Sequence, residues 1–178
     1  SGSCAIRFRS DGGSMVPTDL CDAKLRAAAI SPDGARFALA CIDGAVVSGW
    51  LDPPYGDPDF AGARTEAGFP SPPSPHLPTT LAFQDDEHVL VGTDTGELVR
   101  VELGPDGGIR ERLAVGHGMV RRISVTADAA QAIVELDSSS PRVVDLVNWG
   151  SLGSLPVVRD ALTPRVAIAD GQIVVAHR

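Results

Sequence analysis

The segment best suited to chemistry is QDDEH at residues 84–88, where three consecutive acidic residues precede a histidine. Carboxylate oxygens and an imidazole nitrogen in such a cluster could bind a divalent cation. The same residue types also favour a solvated hairpin turn, because acidic side chains bind nearby backbone amides. We predict the turn, and we expect neither a metal nor any other cofactor.

The other candidate ligands and proton-transfer groups are scattered along the chain. The four histidines are His76, His88, His117 and His177. A metal site would need two or three of them to converge with carboxylates. No nucleophile elbow, phosphate-binding loop, zinc-protease motif or dinucleotide fingerprint occurs in the sequence. We therefore predict no catalytic residues, although a site built from single residues of several repeats would leave no local pattern.

Charge and composition restrict the classes of partner. The chain of 178 residues carries a formal net charge of −8, which disfavours nonspecific binding to nucleic acid or anionic lipid. No stretch approaches the roughly 18 apolar residues of a membrane span, and no signal peptide is recognised. Cys4, Cys21 and Cys41 have neither metal-site spacing nor the even number of a disulfide framework. We expect a cytoplasmic or otherwise intracellular protein, without nucleic acid or membrane as partner.

The elements that would position any site come from an internal repeat. An apolar run, an acidic turn and a second apolar run recur in four segments: 25–51, 78–103, 120–146 and 163–178. The turn residues Asp86, Asp128 and Asp170 follow at intervals of 42 residues, whereas Asp33 precedes Asp86 by 53. Residues 52–78 hold eight of the fourteen prolines and explain the longer interval as an inserted surface loop.

The apolar runs are typical of β-strands. They are short, rich in Val, Ile, Leu and Ala, and bounded by turn residues. An Ala-rich stretch at 19–30 is compatible with a short helix, but the segments aligned with it favour strand. The prediction is an all-β single domain, 1–178, with a proline-rich insertion at 52–78. Its repeat units are 25–67, 78–114, 119–155 and the partial unit 163–178.

Two segments carry a resemblance to a known family. GHGMVRRISVTAD (116–128) has a Gly-His dipeptide, a spacer and an apolar strand. ISPDGARFALACIDGAVV (30–47) has a strand, a Ser-Pro-Asp-Gly hairpin, a second strand and an Asp-Gly turn. VEL (101–103) and VDL (144–146) stand where a Trp-Asp-Leu would follow, without the Trp. The chain thereby resembles the WD-repeat β-propeller family, with degenerate repeats.

The resemblance implies that each unit is a blade of four antiparallel strands. It also implies that His117 and Asp137 belong to a buried, structural hydrogen-bond set. The chain holds about four blade equivalents, so we expect an incomplete part of a larger β-propeller. A second chain, a second copy or a missing segment would supply the remaining blades. The alternative is a closed small ring in which a strand at 5–10 pairs with the strands at 163–178.

For function, the resemblance implies a noncatalytic scaffold for protein–protein interaction within a larger protein or complex. The expected partner contacts lie near the starts of the inner strands and in the second turns: Arg26, Asp43, Asp94 and Arg121. The acidic balance favours partners with basic patches. One alternative is a propeller enzyme or small-ligand sensor with a site in the central channel; alanines lining the channel, such as Ala27 and Ala29, would count against it. Another is a purely structural subunit.

Overall fold

The computed structural model describes residues 24–50, 64–68, 76–155, 165–169 and 172–176, with the strands at 64–68, 165–169 and 172–176 described by their backbone alone. The strands are β1 Leu25–Ile30, β2 Arg36–Cys41, β3 Ala45–Trp50, β4 Arg64–Gly68, β5 Pro78–Phe83, β6 His88–Thr93, β7 Glu97–Glu102, β8 Gly108–Ala114, β9 Val120–Val125, β10 Gln131–Leu136, β11 Arg142–Asp145, β12 Gly150–Ser154, β13 Arg165–Ala169 and β14 Gln172–Ala176. No helix occurs among these described residues, and none could therefore span a membrane. The all-β prediction is confirmed for them, and the Ala-rich stretch forms β1.

The strands form four antiparallel sheets, each built from consecutive strands. The first sheet contains β1–β4, the second β5–β8 and the third β9–β12, and a two-stranded sheet contains β13 and β14. Tight turns join the neighbouring strands. In the turn between β2 and β3, Gly44 has a φ of 97°, a left-handed conformation that glycine adopts without steric cost. The Asp-Gly sequence at 43–44 thus forms the turn after which β3 pairs with β2.

The three four-stranded sheets share the positions of their β-bulges as well as their strand order. The first strand of each four-stranded sheet has a β-bulge at its second residue, where the pairing with the next strand skips Arg26, Thr79 or Arg121. The pairing of the third strand with the fourth is also shifted in all three sheets. A bulge bends a strand and turns a side chain out of the regular ladder. This recurrence supports the interpretation of the three sheets as copies of one unit.

The apolar core lies between successive sheets. One cluster joins the first and second sheets through residues such as Val46, Val89 and Val91. A second cluster joins the second and third sheets through residues such as Leu90 and Val134. Because successive side chains of a strand point to opposite faces, β6 contributes Val89 and Val91 to one cluster and Leu90 to the other. Full burial of each such side chain contributes about 1.5–3 kcal/mol.

The first strands of successive sheets are neighbours. β1 packs against β5, β5 packs against β9, and β13 contacts β9. The Thr79 hydroxyl donates a hydrogen bond to the carbonyl of Val120 at 2.6 Å, which joins the second sheet to the third. Gly92 allows the close approach, because a Cβ there would lie 2.5 Å from Val120 Cγ1. Ala27 and Ala29, expected to line a channel, instead pack against the core between the first two sheets.

Arg100 links the second and third sheets through several polar contacts. Its guanidinium pairs with Glu111, donates to the backbone carbonyl of Leu146, and stacks on the Trp149 ring with its carbon 4.4 Å from the ring centroid. Its Nε donates to Gln84 Oε1 at 2.9 Å. Only 15% of the side chain is exposed, so these contacts are largely shielded from water.

The face of the first sheet that points away from the second sheet is also covered. Phe37, Leu39 and Cys41, which alternate with the core alanines of β2, are at most 1% exposed. Cys41 is disulfide-bonded, and the other half of the bond lies outside the described residues. The odd cysteine count thus does not exclude a single disulfide. Disulfides persist mainly in oxidising compartments, so this bond does not support the expected intracellular location, which stays a prediction.

Several sequence predictions fall outside the described residues. They are the strand at 5–10, the turn at Asp170, and most of the proline-rich insertion, of which the structure describes β4 and the last residues from 76 onward. Trp50, the last residue of β3, is 46% exposed. Its ring lies 4.3 Å from the guanidinium carbon of Arg36, which faces it on β2.

Candidate functional site

The four predicted contact residues lie at corresponding ends of their sheets. Arg26 and Arg121 are the second residues of β1 and β9, and Asp43 and Asp94 lie in turns between second and third strands. In an antiparallel meander, the start of the first strand and the turn after the second strand share one end, hereafter the first-strand end. Arg26 and Arg121 are exposed there, and Asp43 and Asp94 are half-buried.

Each turn at the first-strand end is tied to the start of the first strand in its own sheet. A backbone amide of the turn donates to the carbonyl of a residue just before that strand. The bonds are Ile42 N to Lys24 O at 2.8 Å, Asp94 N to Leu77 O at 3.0 Å, and Asp137 N to Met119 O at 3.0 Å. The three sheets therefore present the same backbone arrangement at this end.

Aspartates of these turns accept hydrogen bonds from neighbouring amides. Asp94 Oδ1 accepts from the amides of His76 and Leu77, both at 2.9 Å. Asp43 Oδ1 accepts from the amide of Ala45 at 3.0 Å. Carboxylates held in this way stabilise the loops around them. Asp43 and Asp94 thus shape the surface that Arg26 and Arg121 flank, and their contact with a partner stays a prediction.

The predicted pairing of His117 with Asp137 is wrong. His117 is exposed and does not belong to a buried hydrogen-bond set. Asp137 Oδ1 instead accepts from the Ser138 hydroxyl at 2.7 Å and from the amide of Met119 at 2.9 Å. The Ser138 hydroxyl, with the Met119 amide and the charge of Arg121, holds the pKa of Asp137 below its usual value. Asp137 is exposed, and it binds the Met119 amide and the Ser138 hydroxyl rather than His117.

The histidine that joins a polar set at the first-strand end is His76. Its Nδ1 lies 3.0 Å from Thr95 Oγ1 and 2.9 Å from Glu97 Oε2. Sequence reasoning missed this set because it relied on the Gly-His dipeptide. A usable signal was position: His76 lies two residues before β5. Because Leu77 and Met119 precede β5 and β9, the equivalent of His76 in the third sheet is Gly118, and His117 lies one residue earlier.

The QDDEH segment forms a hairpin turn, as predicted. Asp85 Oδ1 accepts from the amides of Glu87 and His88 at 2.9 and 2.8 Å, and it lies 2.9 Å from His88 Nδ1. Burial alone would raise the pKa of Asp85, but the Glu87 amide and His88 outweigh it and lower that pKa. The carboxylate is thus engaged by its own turn. Across the described ranges, no group of three or more His, Cys, Asp or Glu residues is placed to hold a metal.

The corresponding turns of the first and third sheets share one set of hydrogen bonds. The hydroxyls of Ser31 and Thr126 accept from the backbone amides of Arg36 and Gln131, at 2.9 and 3.0 Å. The adjacent carboxylates, Asp33 and Asp128, then bind the same turns. Hydrogen bonds from Ser31 to Asp33 and from Thr126 to Asp128, with backbone amides, lower the pKa of both aspartates.

These turns predict a loss of stability in acid. A carboxyl whose pKa is lowered by folding stabilises the native state above its unfolded pKa of about 4, and this contribution disappears as the pH falls through the folded pKa. The free energy of unfolding in urea should therefore decrease below pH 4. Asp128→Asn, which keeps an acceptor oxygen but cannot titrate, should show a smaller acid-induced decrease. Equal acid sensitivity of this variant and the wild type would contradict the assignment.

Glu135 occupies a register position that small residues hold in the other sheets. It is the fifth residue of β10, as Ala40 is of β2 and Gly92 of β6. Ala40 faces the second sheet, and Gly92 faces Val120 of the third. By the same geometry, Glu135 faces the two-stranded sheet. Its Oε1 is buried without a hydrogen-bond partner, and burial raises the pKa of this carboxyl against the opposing effect of Arg122.

Glu135→Gln is therefore expected to raise the free energy of unfolding at neutral pH by a few tenths to about 1 kcal/mol, allowing for solvent screening. A carboxyl whose pKa is raised by folding destabilises the native state when ionised, and the penalty disappears as the pH falls through the folded pKa. Urea unfolding at pH 7 and pH 4 should show a gain that shrinks in acid. Glu87→Gln, in an exposed turn, is the neutral control. If Glu135→Gln lowers the free energy of unfolding, the Glu135 carboxylate is not unpaired.

Comparison with known proteins shows similarity of fold. No family model and no curated protein matches the chain. Among the solved structures that match is Kuenenia stuttgartiensis hydrazine synthase, with a TM-score of 0.65 and 16% sequence identity over 86% of this chain. The match covers 44% of the hydrazine synthase chain, so this chain spans less than half of that length. At this identity, the likeness carries no information on activity.

Proposed function

We propose that this chain is part of a WD-repeat-like β-propeller and serves as a noncatalytic platform for protein partners within a larger protein or complex. Three features support the architecture. Each four-stranded sheet is a simple antiparallel meander, its first and fourth strands carry recurrent bulges, and the first strands of successive sheets are adjacent. Blades arranged around an axis have this relation, with their first strands innermost.

The partial nature of the propeller has separate support. Among the described residues, the sheet of β13 and β14 has two strands, half the number in each preceding sheet. A blade of this kind requires two further strands to protect its edge, because exposed strand edges pair readily with other chains. The hydrazine synthase chain of similar fold is more than twice as long as the matched region. Both observations favour completion by further polypeptide.

The observation that carries the functional proposal is the first-strand end. Hydrogen bonds within each sheet hold its turns to the starts of its first strands, so the surface is rigid before any partner binds. Arg26 and Arg121 project from equivalent bulges at this end and are exposed. A rigid surface with exposed arginines suits protein recognition, because little conformational entropy is lost on binding and arginine is common in interfaces.

Site-specific photo-cross-linking tests this proposal. A photoreactive amino acid is placed at position 26, 121 or 110 of the protein produced in its natural host. Position 110 is the control, since Arg110 is an exposed residue of the outer strand β8. We expect one common protein adduct from positions 26 and 121, and none from position 110. Equal cross-linking from all three positions, or adducts from position 110 alone, would reject the first-strand end as the contact surface.

A further inference from the structure

The bulges of the first strands place two cationic side chains in equivalent positions. Arg26 in β1, Thr79 in β5 and Arg121 in β9 are each the second residue of a first strand and are skipped by the pairing with the next strand. β5 lies between β1 and β9. The three bulges therefore form a row across three sheets, with a threonine between two arginines; this is the bulge row.

The junction between the second and third sheets fixes this row directly. The Thr79 hydroxyl donates to the carbonyl of Val120 at 2.6 Å, and Val120 is the residue before Arg121. The same hydroxyl oxygen lies 3.0 Å from the carbonyl oxygen of Gly92, within its own sheet. Thr79 thereby holds the backbone beside Arg121 in place, so the position of that arginine does not depend on a flexible loop.

The arginines of the bulge row differ from those of the second sheet in their partners. Arginines of the second sheet are paired with carboxylates: Arg100 with Glu111, Arg110 with Glu102, and Arg112 with Glu97. Within the described ranges, Arg26 and Arg121 have neither a hydrogen bond nor an ion pair, and both are exposed. Asp94 and Asp137, the nearby turn carboxylates, accept from backbone amides, and Arg121 acts on Asp137 through its charge without an ion-pair contact.

We propose that the bulge row binds an extended, acidic segment of a partner protein, with Asp or Glu side chains of that segment on Arg26 and Arg121. This inference rests on the proposed function and names the partner chemistry. A guanidinium offers a fixed pair of donors that matches a carboxylate. An acidic protein segment is favoured over nucleic acid, because a row with two arginines can neutralise few of the closely spaced phosphates of a nucleic acid. The expectation of a basic partner, drawn from the net charge of −8, is thus replaced at this surface.

The test uses a fluorescein-labelled peptide of alternating Glu and Ser residues, measured by fluorescence anisotropy with the full chain at about 50 mM salt. A peptide with Gln for Glu and a single-stranded DNA of equal length are compared. Arg26→Ala and Arg121→Ala are the test variants, and Arg110→Ala removes the same charge from the outer strand. Urea unfolding checks that all three variants remain folded.

We expect the Glu peptide to bind, the Gln peptide not to bind, and either test variant to weaken binding about tenfold. Arg110→Ala should change affinity less than about twofold. Absence of Glu-peptide binding, or equal losses in all three variants, would overturn the proposal. Tighter binding of the DNA than of the Glu peptide, lost in the same two variants, would assign the row to nucleic acid instead. In either case, cross-links from positions 26 and 121 to a partner protein would still support the proposed function, so the two proposals can be tested separately.

Discussion

Replacement of Gly96 by alanine is expected to lower the free energy of unfolding by about 3–5 kcal/mol. Gly96 has a φ of 84°, and a Cβ there would lie 2.3 Å from the carbonyl oxygen of Gly116. The obstacle is backbone, which cannot move aside as a flexible side chain can. Moving it would also break the bonds that the amides of Val115 and Gly116 donate to the Gly96 carbonyl. These bonds join the second sheet to the segment that enters the third.

Gly34→Ala is the matched control for this variant. Gly34 also has a left-handed backbone, with a φ of 75°, but nothing lies within 4 Å of a Cβ built there. The expected cost is therefore only that of the backbone conformation, about 1 kcal/mol. Urea unfolding of both variants measures the difference. If Gly96→Ala costs no more than Gly34→Ala, the close contact between Gly96 and the β8–β9 connection is wrong.

Arg100→Ala is expected to lower the free energy of unfolding by about 2–4 kcal/mol. The substitution removes the ion pair with Glu111 and the stacking on Trp149, and it leaves the carbonyl of Leu146 without this donor. Because the guanidinium is largely buried, water replaces these contacts poorly. Arg100→Lys retains the charge but not the planar group, so we expect an intermediate loss.

Arg110→Ala provides the comparison for Arg100. Arg110 also forms an ion pair within β7 and β8, with Glu102, but the two side chains are 46% and 39% exposed. Exposed pairs of this kind contribute about 0–1 kcal/mol. In thermal or urea unfolding, wild type and Arg110→Ala should have similar free energies of unfolding, well above that of Arg100→Ala. Similar losses for both variants would mean that Arg100 does not link the second and third sheets.

The sequence predicted the strands and turns well because both are encoded locally. Short apolar runs bounded by DG, DTGE and QDDEH recur with one period, so each strand supports the assignment of its counterparts. The first-turn marker shifts by one residue in the second sheet, where Asp85 binds the turn amides and Asp86 accepts from the amide of Asp33 at 3.4 Å. The spacing alone cannot predict which of two adjacent acidic residues binds the turn amides.

The bulges and the contacts between sheets could not be predicted, because they depend on register and on residues distant in sequence. Nothing local distinguishes Gly92 or Gly96 from other glycines, yet Gly92 allows the close approach of Val120 in the third sheet, and Gly96 allows that of the Gly116 backbone. His117 was misassigned for a related reason. The dipeptide that contains it was recognised as a motif, whereas the strand register places Gly118 at the position equivalent to His76.

Native mass spectrometry of the protein isolated from its natural host tests the central claim most directly, namely that this chain is an interaction platform within a larger protein or complex. The predicted result is a particle heavier than the 18.5 kDa of this sequence, from which denaturation releases further polypeptide or a longer chain. A folded monomer of 18.5 kDa, stable at micromolar concentration and free of other chains, would contradict it.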